Sequence, residues 1–175
     1  MSIKQLIRTI PDYPKPGIMF RDITTLIKDP AGLGLVVQEL CARYSEWDIH
    51  KIAAIESRGF IVGAPLAHQL GIGFVPIRKK GKLPAQTIGC DYELEYGMDR
   101  IEIHTDAISP GERILLIDDL IATGGTAQAA VTLIEQCGGI VADCAFIVDL
   151  PELGGKKRLE AMGVGVFALT EFEGH

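Results

Sequence analysis

The sequence has no apolar run that approaches the ~20 residues needed for a helix to cross a bilayer. Its N-terminal stretch, MSIKQLIRTIPDYPKPG, lacks the apolar segment and the small-residue cleavage site of a secretory signal. Acidic residues outnumber basic ones, which gives a formal net charge of -6. This charge argues against general nucleic-acid binding. These absences favour a cytoplasmic protein with neither a membrane nor a nucleic acid as its partner.

The four cysteines show no metal-binding or disulfide pattern. No two cysteines form a CxxC pair, and a disulfide framework is not expected in a cytosolic chain of this length. We therefore expect buried or half-buried free thiols without a chemical role. The four are Cys41, Cys90, Cys137 and Cys144. The histidines form no cluster of metal ligands either, and none is interpreted as catalytic.

The sequence does contain an alternation of strand-like and helix-like segments within 175 residues, of which 47% are hydrophobic. Short apolar runs without polar alternation indicate strands buried on both faces. The predicted strands are KIAAIES, IGFVPIRK, RILLIDD, IVADCAFIVDL and VGVFALTEF. Helical spacing predicts helices over residues 31–47, over GFIVGAPLAHQLG with its end at Gly71, from Gly125 to about Gln136, and around residues 156–162. This order predicts an α/β fold with a mainly parallel central sheet flanked by helices on both faces.

Two segments depart from this alternation. The segment QTIGCDYELEYGMDRIEIHTDAI alternates polar and apolar residues around Gly97, which predicts an antiparallel ribbon that projects from the sheet. The N-terminal segment IPDYPKPGIMFRDITTLIKDP holds four of the nine prolines and is predicted to form an irregular cap over one sheet edge. We find no repeat and no linker, so residues 1–175 are expected to form a single domain.

The stretch RILLIDDLIATGGT carries the strongest chemical pattern. A buried strand runs into two adjacent acids, Asp118 and Asp119, and then into a turn of small residues ahead of a helix. Backbone amides at such a turn can bind an anion, although a plain strand-to-helix turn capped by a threonine has the same pattern. The neighbouring carboxylates need polar partners that packing cannot supply. A sugar phosphate offers both groups, a phosphate for the turn and a vicinal diol for the carboxylates.

Two further loops follow predicted strands, and they can converge with this turn at the carboxyl ends of the sheet. The motif ESRGF contains Arg58, which is either a bidentate phosphate ligand or a surface arginine at a helix start. The motif IRKKGK has four cations in six residues, and for Lys79 or Lys80 alone a solvated basic turn explains the pattern equally well. A negatively charged protein that binds a phosphorylated anion needs a local basic patch of this kind.

These motifs resemble those of the type I phosphoribosyltransferases. The motif LLIDDLIATGGT is similar to the phosphoribosylpyrophosphate (PRPP) signature of that family. The motifs PKPGIMFRDIT, ESRGF, VPIRKKGKLP and LEYG occur in the order and spacing of its adenine-specific members, so the resemblance covers nearly the whole chain. It implies the type I phosphoribosyltransferase fold, with residues 1–30 as an N-terminal hood and residues 86–106 as a flexible lid. It also implies the conversion of adenine and PRPP to AMP and pyrophosphate with Mg²⁺.

The resemblance further implies a role for each motif. The 5-phosphate of PRPP would bind Ala122, Thr123, Gly124, Gly125 and Thr126. The ribose hydroxyls would bind Asp118 and Asp119, which would also face a cationic transition state. The pyrophosphate would bind Glu56, Ser57, Arg58, Gly59 and Lys82, with Arg78 able to reach the site of the neighbouring subunit in a homodimer. Mg²⁺ would be carried mainly by PRPP, without a dedicated set of protein ligands. The resemblance also allows a cis peptide bond between Glu56 and Ser57, which the sequence itself does not show.

The lid and the hood would complete the site by the same resemblance. Glu95 would assist proton transfer at the purine, and Tyr96 would pack beside it while the closed lid excludes water. Other glutamates of the ribbon fit a merely exposed position, and so would Glu95 without the resemblance. The adenine-binding residues would be Met19, Phe20, Arg21 and Leu150. Core packing explains Phe20 and Leu150 equally well from sequence alone.

Three other interpretations remain open. The DD…TGGT element does not choose among bases, so guanine, xanthine or orotate could be the acceptor, although PGIMFRDIT and LEYG favour adenine. A non-catalytic PRPP-sensing regulator would need a DNA-binding segment, and the 175 residues show no helix-turn-helix or basic extension. A nucleotide hydrolase with ILLIDD as its Walker B strand would need a Walker A loop, which is missing.

Overall fold

The computed structural model describes residues 2–94 and 96–174 of the chain. Its helices are α1 (Ile3–Leu6), α2 (Thr24–Ile27), α3 (Pro30–Tyr44), α4 (Arg58–Leu70), α5 (Gly125–Gln136) and α6 (Gly155–Glu160). Its strands are β1 (Arg8–Ile10), β2 (Phe20–Asp22), β3 (Lys51–Ile55), β4 (Gly73–Lys79), β5 (Thr87–Glu93), β6 (Met98–His104), β7 (Arg113–Ile121), β8 (Ile140–Asp149) and β9 (Val166–Glu171). A 3-10 turn at Pro151–Leu153 separates β8 from α6.

Seven strands form one sheet in the order β5-β6-β4-β3-β7-β8-β9. Strands β3, β4, β7, β8 and β9 pair in parallel, while β6 is antiparallel to both β4 and β5. One apolar core holds α5 and Leu159 of α6, and a second core holds residues of α1 to α4. The predicted fold class, a mainly parallel sheet with helices on both faces, is therefore confirmed.

The helix predictions are confirmed with small shifts at their ends. Helix α4 ends at the predicted glycine, because Gly71 has φ 70, a left-handed conformation that glycine adopts without a steric cost. Helix α3 ends at Tyr44, before the predicted end at Trp47. The Tyr44 hydroxyl donates a hydrogen bond of 2.7 Å to the buried carboxylate of Asp143, which fixes the helix end against β8. Strand β7 continues beyond the predicted Asp119 to Ile121.

The N-terminal segment is more regular than predicted. Within residues 10–30 it contains β2 and α2, and β2 pairs with β1. Residues 11–19 form turns and bends, so the expectation of an irregular cap was wrong only for residues 20–27. The buried Asp22 organises it by accepting from the Thr24 amide and hydroxyl and from Arg8, and the hydrogen bonds from Thr24 are the largest cause that lowers the pKa of Asp22 to about 2. The segment does cover a sheet edge, since Arg21 donates to the Glu173 carbonyl at 3.1 Å, just beyond β9.

The predicted antiparallel ribbon consists of β5 and β6, which pair from Thr87↔His104 to Glu93↔Met98. The ribbon joins β4 through only two paired positions, Arg78↔Glu102 and Lys79↔Ile101. Its outer half therefore extends beyond the end of β4. Gly97, the predicted centre of the turn, has φ 91. Movement of this ribbon as a lid stays a prediction.

All four cysteines are free thiols, with Cys144 buried and the other three half-buried. Within residues 2–94 and 96–174, no helix combines the length and the apolar character that crossing a membrane requires.

Candidate active site

The carboxyl ends of β3 and β4, together with β7, surround one cavity of about 370 Å³. Parallel strands deliver their following loops to the same edge of a sheet, which is why segments far apart in sequence meet here. The lining residues are Ile55, Glu56, Ser57, Arg58, Lys79, Tyr92, Asp118, Asp119 and Thr126. The structure thus brings together the acidic pair, the ESRGF loop and the last threonine of the TGGT turn.

The TGGT turn forms the wall of an adjoining cavity of about 170 Å³. Gly124 is the residue that precedes α5, with φ 88, and no side chain caps the helix there. A plain turn capped by a threonine is therefore not what the structure contains. The uncapped amides at the start of a 12-residue helix suit an anion, because they carry the positive end of the helix dipole.

Two glycines pack the turn tightly against the start of α6. A Cβ atom on Gly124 would lie 2.9 Å from the Cα atom of Gly155, and one on Gly155 would lie 2.5 Å from the Ala122 carbonyl oxygen. The Gly155 amide also donates to that carbonyl at 3.0 Å. Gly155 is a supporting residue that the sequence did not identify, because its contact partner is more than thirty positions away.

The two aspartates have different surroundings. Burial, followed by the negative charge of Asp119, raises the pKa of Asp118 well above its usual value. Asp119 accepts a hydrogen bond of 2.6 Å from the Nε–H of Arg58, and its own amide donates to Asp118 Oδ1 at 2.8 Å. A Cβ atom on Gly59 would lie 3.2 Å from Asp118 Oδ1, so this glycine lets the start of α4 approach the acidic pair.

The ESRGF loop contains the expected cis peptide bond between Glu56 and Ser57. The Glu56 carboxylate accepts from the Lys79 amide at 2.7 Å and lies 3.3 Å from Arg78 Nε. This carboxylate therefore binds β4 of its own chain, and it would repel a pyrophosphate. Ser57 and Arg58 are exposed at the cavity, where their donors can reach an anion.

Two lysines of the basic loop differ in their position relative to the cavity. Lys82 is exposed and lies outside the lining of the 370 Å³ cavity, whereas Lys79 is part of it. The Arg78 guanidinium contacts Glu56 and donates to the Lys82 carbonyl at 3.4 Å, both within the same chain. A contact of Arg78 with a neighbouring subunit, and a contact of Lys82 with pyrophosphate, stay predictions.

Two other residues near the cavities were not predicted from the sequence as site residues. Tyr92 of β5 is only 8% exposed, and its hydroxyl lies 3.3 Å from Lys79 Nζ. Arg158 of α6 donates from Nε to Gln128 Oε1, and its Nη1 lies 3.7 Å from the position that a Cβ atom on Gly125 would occupy. The only signals in the sequence were an alternating ribbon for Tyr92 and a KKR run for Arg158, and neither pattern points to a cavity.

The tip of the ribbon meets the N-terminal segment. Glu95, the predicted proton-transfer residue, lies outside the described residues. Tyr96 is 79% exposed, and Lys15 Nζ lies 4.7 Å from the centre of its ring. The predicted roles of Glu95 and Tyr96 stay predictions.

The predicted base-binding residues lie in two environments. Met19 is 39% exposed, while Phe20 is half-buried and meets the Tyr13 ring edge-on at 5.1 Å. Leu150 is 7% exposed and belongs to the same core as Ile23 of the N-terminal segment. Contact of these residues with a base stays a prediction, as does that of Arg21, whose guanidinium donates to Thr9 and to Glu173.

Comparison with known proteins agrees with this geometry. The family model described as the phosphoribosyl transferase domain matches residues 33–165. The chain is 65% identical to the adenine phosphoribosyltransferase of Nitrosospira multiformis, and the match covers 100% of each. The crystal structure of adenine phosphoribosyltransferase from Thermoanaerobacter pseudethanolicus is 49% identical, with a TM-score of 0.91 and coverage of 97% of this chain and 98% of that one. The enzyme from Giardia lamblia, solved in complex with 9-deazaadenine, is 36% identical with a TM-score of 0.93, and the match covers 98% of each chain.

Proposed function

The chain belongs to the phosphoribosyltransferase family, and on that basis we propose that it converts adenine and PRPP to AMP and pyrophosphate in purine salvage. The observation that carries this proposal is the meeting of the TGGT turn, the acidic pair and the ESRGF loop around adjoining cavities. Adenine is the base named for relatives that match the chain from end to end. The Giardia relative was solved with the adenine analogue 9-deazaadenine, which supports the same assignment.

The sugar phosphate is held at two points. The 5-phosphate binds the turn formed by Ala122, Thr123, Gly124, Gly125 and Thr126, where uncapped helix amides favour an anion. The ribose 2- and 3-hydroxyls donate to Asp118 and Asp119, which line the cavity next to that turn. Two anchoring points orient the anomeric carbon for attack.

The pyrophosphate leaves into the pocket formed by the ESRGF loop. Arg58 already donates its Nε–H to Asp119, so its terminal NH₂ groups are the donors that suit a phosphate. The amides of Ser57 and Gly59 and the ammonium groups of Lys79 and Lys82 add to this site. Glu56 takes part through its backbone, because its carboxylate is occupied by β4.

Bond cleavage builds positive charge on the sugar. As the bond between the anomeric carbon and the pyrophosphate oxygen breaks, the ribose acquires oxocarbenium character. The Asp118 and Asp119 carboxyl groups lie at this position and stabilise the charge electrostatically. The purine imidazole nitrogen then bonds to the anomeric carbon and loses its proton with the assistance of Glu95. Tyr96 and the rest of the ribbon exclude water.

The donor set of the cavity fits a magnesium ion that arrives with the substrate. Within the described residues, no group of three or more histidine, cysteine, aspartate or glutamate side chains is placed to hold a metal. Mg²⁺ keeps several waters and prefers substrate phosphates with one or two carboxylates, and Asp118 and Asp119 could supply the latter. When bound, it would neutralise charge on the departing pyrophosphate.

The hood and the quaternary state complete the proposal. Phe20 and Leu150 form the two walls for adenine, and the backbone of Met19 and Arg21 meets its hydrogen-bonding edge. The enzyme acts as a homodimer in the cytoplasm, and Arg78 contributes to the partner's site.

The direct test mixes the purified protein with labelled adenine, PRPP and Mg²⁺ and measures AMP by chromatography. We expect AMP and one equivalent of pyrophosphate. A folded protein that makes no AMP would contradict the proposal. Guanine, hypoxanthine, xanthine and orotate are added as competitors in a second arm, and preferential use of any of them would reassign the base.

A further inference from the structure

Two cations, Arg58 and Lys79, are among the described residues that line the 370 Å³ cavity, and each is held by a carboxylate of this chain. Arg58 pairs with Asp119, which belongs to the cavity itself. Lys79 pairs with Asp99, which belongs to β6 of the ribbon and lies outside the lining. The proposed reaction explains the first pair, because Asp119 binds ribose, and it leaves the second pair without a role.

Lys79 connects the ESRGF loop with the ribbon. Its amide donates to Glu56 Oε1 at 2.7 Å, and its ammonium group contacts Asp99 Oδ2. The Tyr92 hydroxyl lies 3.3 Å from the ammonium nitrogen and 3.4 Å from Asp99 Oδ2. The ammonium group is thus held by both strands of the ribbon at the wall of the cavity.

Asp99 lies at the point along β6 where pairing with β4 ends. Strand β6 pairs with β4 at Glu102 and Ile101, and the Lys80 amide then donates to the Arg100 carbonyl at 3.1 Å. Asp99 is the next residue outward along β6. Its contact with Lys79 is therefore a side-chain tether at the point where the ribbon leaves the sheet.

The pair is ionised and weak enough to exchange. The hydrogen bond that the Lys79 ammonium group donates to Asp99 is the largest cause that raises the pKa of Lys79 and also the largest cause that lowers the pKa of Asp99. The side chains are 46% and 28% exposed, and ion pairs with such exposure contribute little net stability. A diphosphate carries more negative charge than one carboxylate and forms strong charge-assisted hydrogen bonds.

We propose that Asp99 is a positioning residue that holds the Lys79 ammonium group on the ribbon until the diphosphate group of the substrate enters the cavity and takes it over. The exchange would release the tether at the base of the ribbon, so that substrate binding and ribbon movement are coupled. This inference rests on the proposed function, because it assigns a diphosphate to the cavity.

The test measures binding of magnesium pyrophosphate by calorimetry, without turnover. Asp99→Asn keeps the shape of the side chain and removes its charge, so we expect binding about three- to fivefold tighter, the scale of a half-exposed ion pair. Lys79→Gln should weaken binding. Adding Asp99→Asn to Lys79→Gln should then have no further effect, because the ammonium group for which Asp99 competes is gone.

The possible outcomes separate the inference from the function on which it rests. If Asp99→Asn raised the affinity for pyrophosphate equally in the unaltered protein and in Lys79→Gln, the effect would be one of general charge, and the proposed role of the pair would be wrong. An unchanged affinity in Asp99→Asn would also overturn that role. If the unaltered protein does not bind pyrophosphate, the proposed function fails and the inference fails with it.

A second measurement follows the ribbon directly. Hydrogen exchange of ribbon amides should be faster in Asp99→Asn without ligand than in the unaltered protein, and Asp99→Glu should restore the slower rate. Asp91→Asn is the matched control, because Asp91 lies on the same ribbon but pairs at 3.3 Å with Arg100 instead of a lysine of the cavity. Identical exchange in Asp99→Asn and the unaltered protein would contradict the tether.

Discussion

At the scale of single residues, Asp119 is expected both to bind the ribose and to stabilise the cationic transition state. It accepts from Arg58 and lies beside Asp118, at the position assigned to the ribose diol. Asp119→Asn removes a charge that would stabilise the cationic sugar, so we expect kcat/KM to fall by about a hundredfold or more. Steady-state rates measure this fall, and Asp106→Asn, in an exposed turn, is the control. An unchanged kcat/KM would refute the role of Asp119.

For Asp118, the charge of the carboxylate is expected to lower the stability of the folded protein. Its pKa is raised in the folded protein, so folding favours the protonated form, and its contribution to stability declines as the pH rises above about 4. Asp118→Asn should therefore raise the melting temperature at neutral pH while it lowers turnover. Each kcal/mol would correspond to about 2–4 °C for a domain of this size.

Thermal unfolding between pH 4 and pH 8 tests this sign. The difference between Asp118→Asn and the unaltered protein should shrink toward the lower pH, where both side chains are neutral. A variant that melts at a lower temperature throughout this range would show that the charge of Asp118 is not a cost to the fold.

At the scale of elements, the phosphate turn depends on its contact with α6. A Cβ atom at position 155 would lie 2.5 Å from the Ala122 carbonyl oxygen, so Gly155→Ala should displace the turn. We expect a KM for PRPP raised by about tenfold and a destabilisation of about 1–3 kcal/mol from overpacking. Gly34→Ala is the matched control, because a Cβ atom there would meet nothing within 4 Å and alanine favours a helix. Equal KM values in the two variants would contradict the dependence.

The sequence predicted elements whose evidence is local and missed contacts that depend on register. Strand β7, the turn and α5 lie in one continuous stretch, so hydrophobic pattern and turn chemistry predicted the positions of these three elements. The pairing of Lys79 with Asp99 depends on how β6 aligns with β4, and the approach of Gly155 to Gly124 depends on the loop after β8. No periodicity within a single segment contains that information. The preference for Lys82 over Lys79 came from a motif, and the structure places only Lys79 in the cavity lining.

At the scale of the whole molecule, Arg78 is the residue that links the proposed site to a second chain. Arg78 pairs with Glu56 of its own chain, yet it is expected to serve the partner's site in a homodimer. Co-refolding inactive Arg78→Gln with inactive Asp119→Asn would produce hybrids in which one site has both residues intact. For random pairing, we expect about a quarter of the sites to recover activity.

The controls for this mixture are the two variants refolded separately. Mass measured by light scattering should correspond to two chains in every sample. A mixture with no recovered activity, or with a mass of one chain, would assign Arg78 to its own site.

The two edge strands of the sheet, β5 and β9, are protected in different ways from pairing with strands of other molecules. Strand β9 is covered by the N-terminal segment, and β5 carries the charged side chains of Asp91 and Glu93. Covered or charged edges discourage the addition of strands from other molecules, which is a common route to aggregation. A second copy of the chain is therefore expected to dock through helices and loops instead of extending the sheet. Self-association of this kind adds no strand to the sheet, so it avoids the edge-to-edge pairing by which β-rich fibres grow.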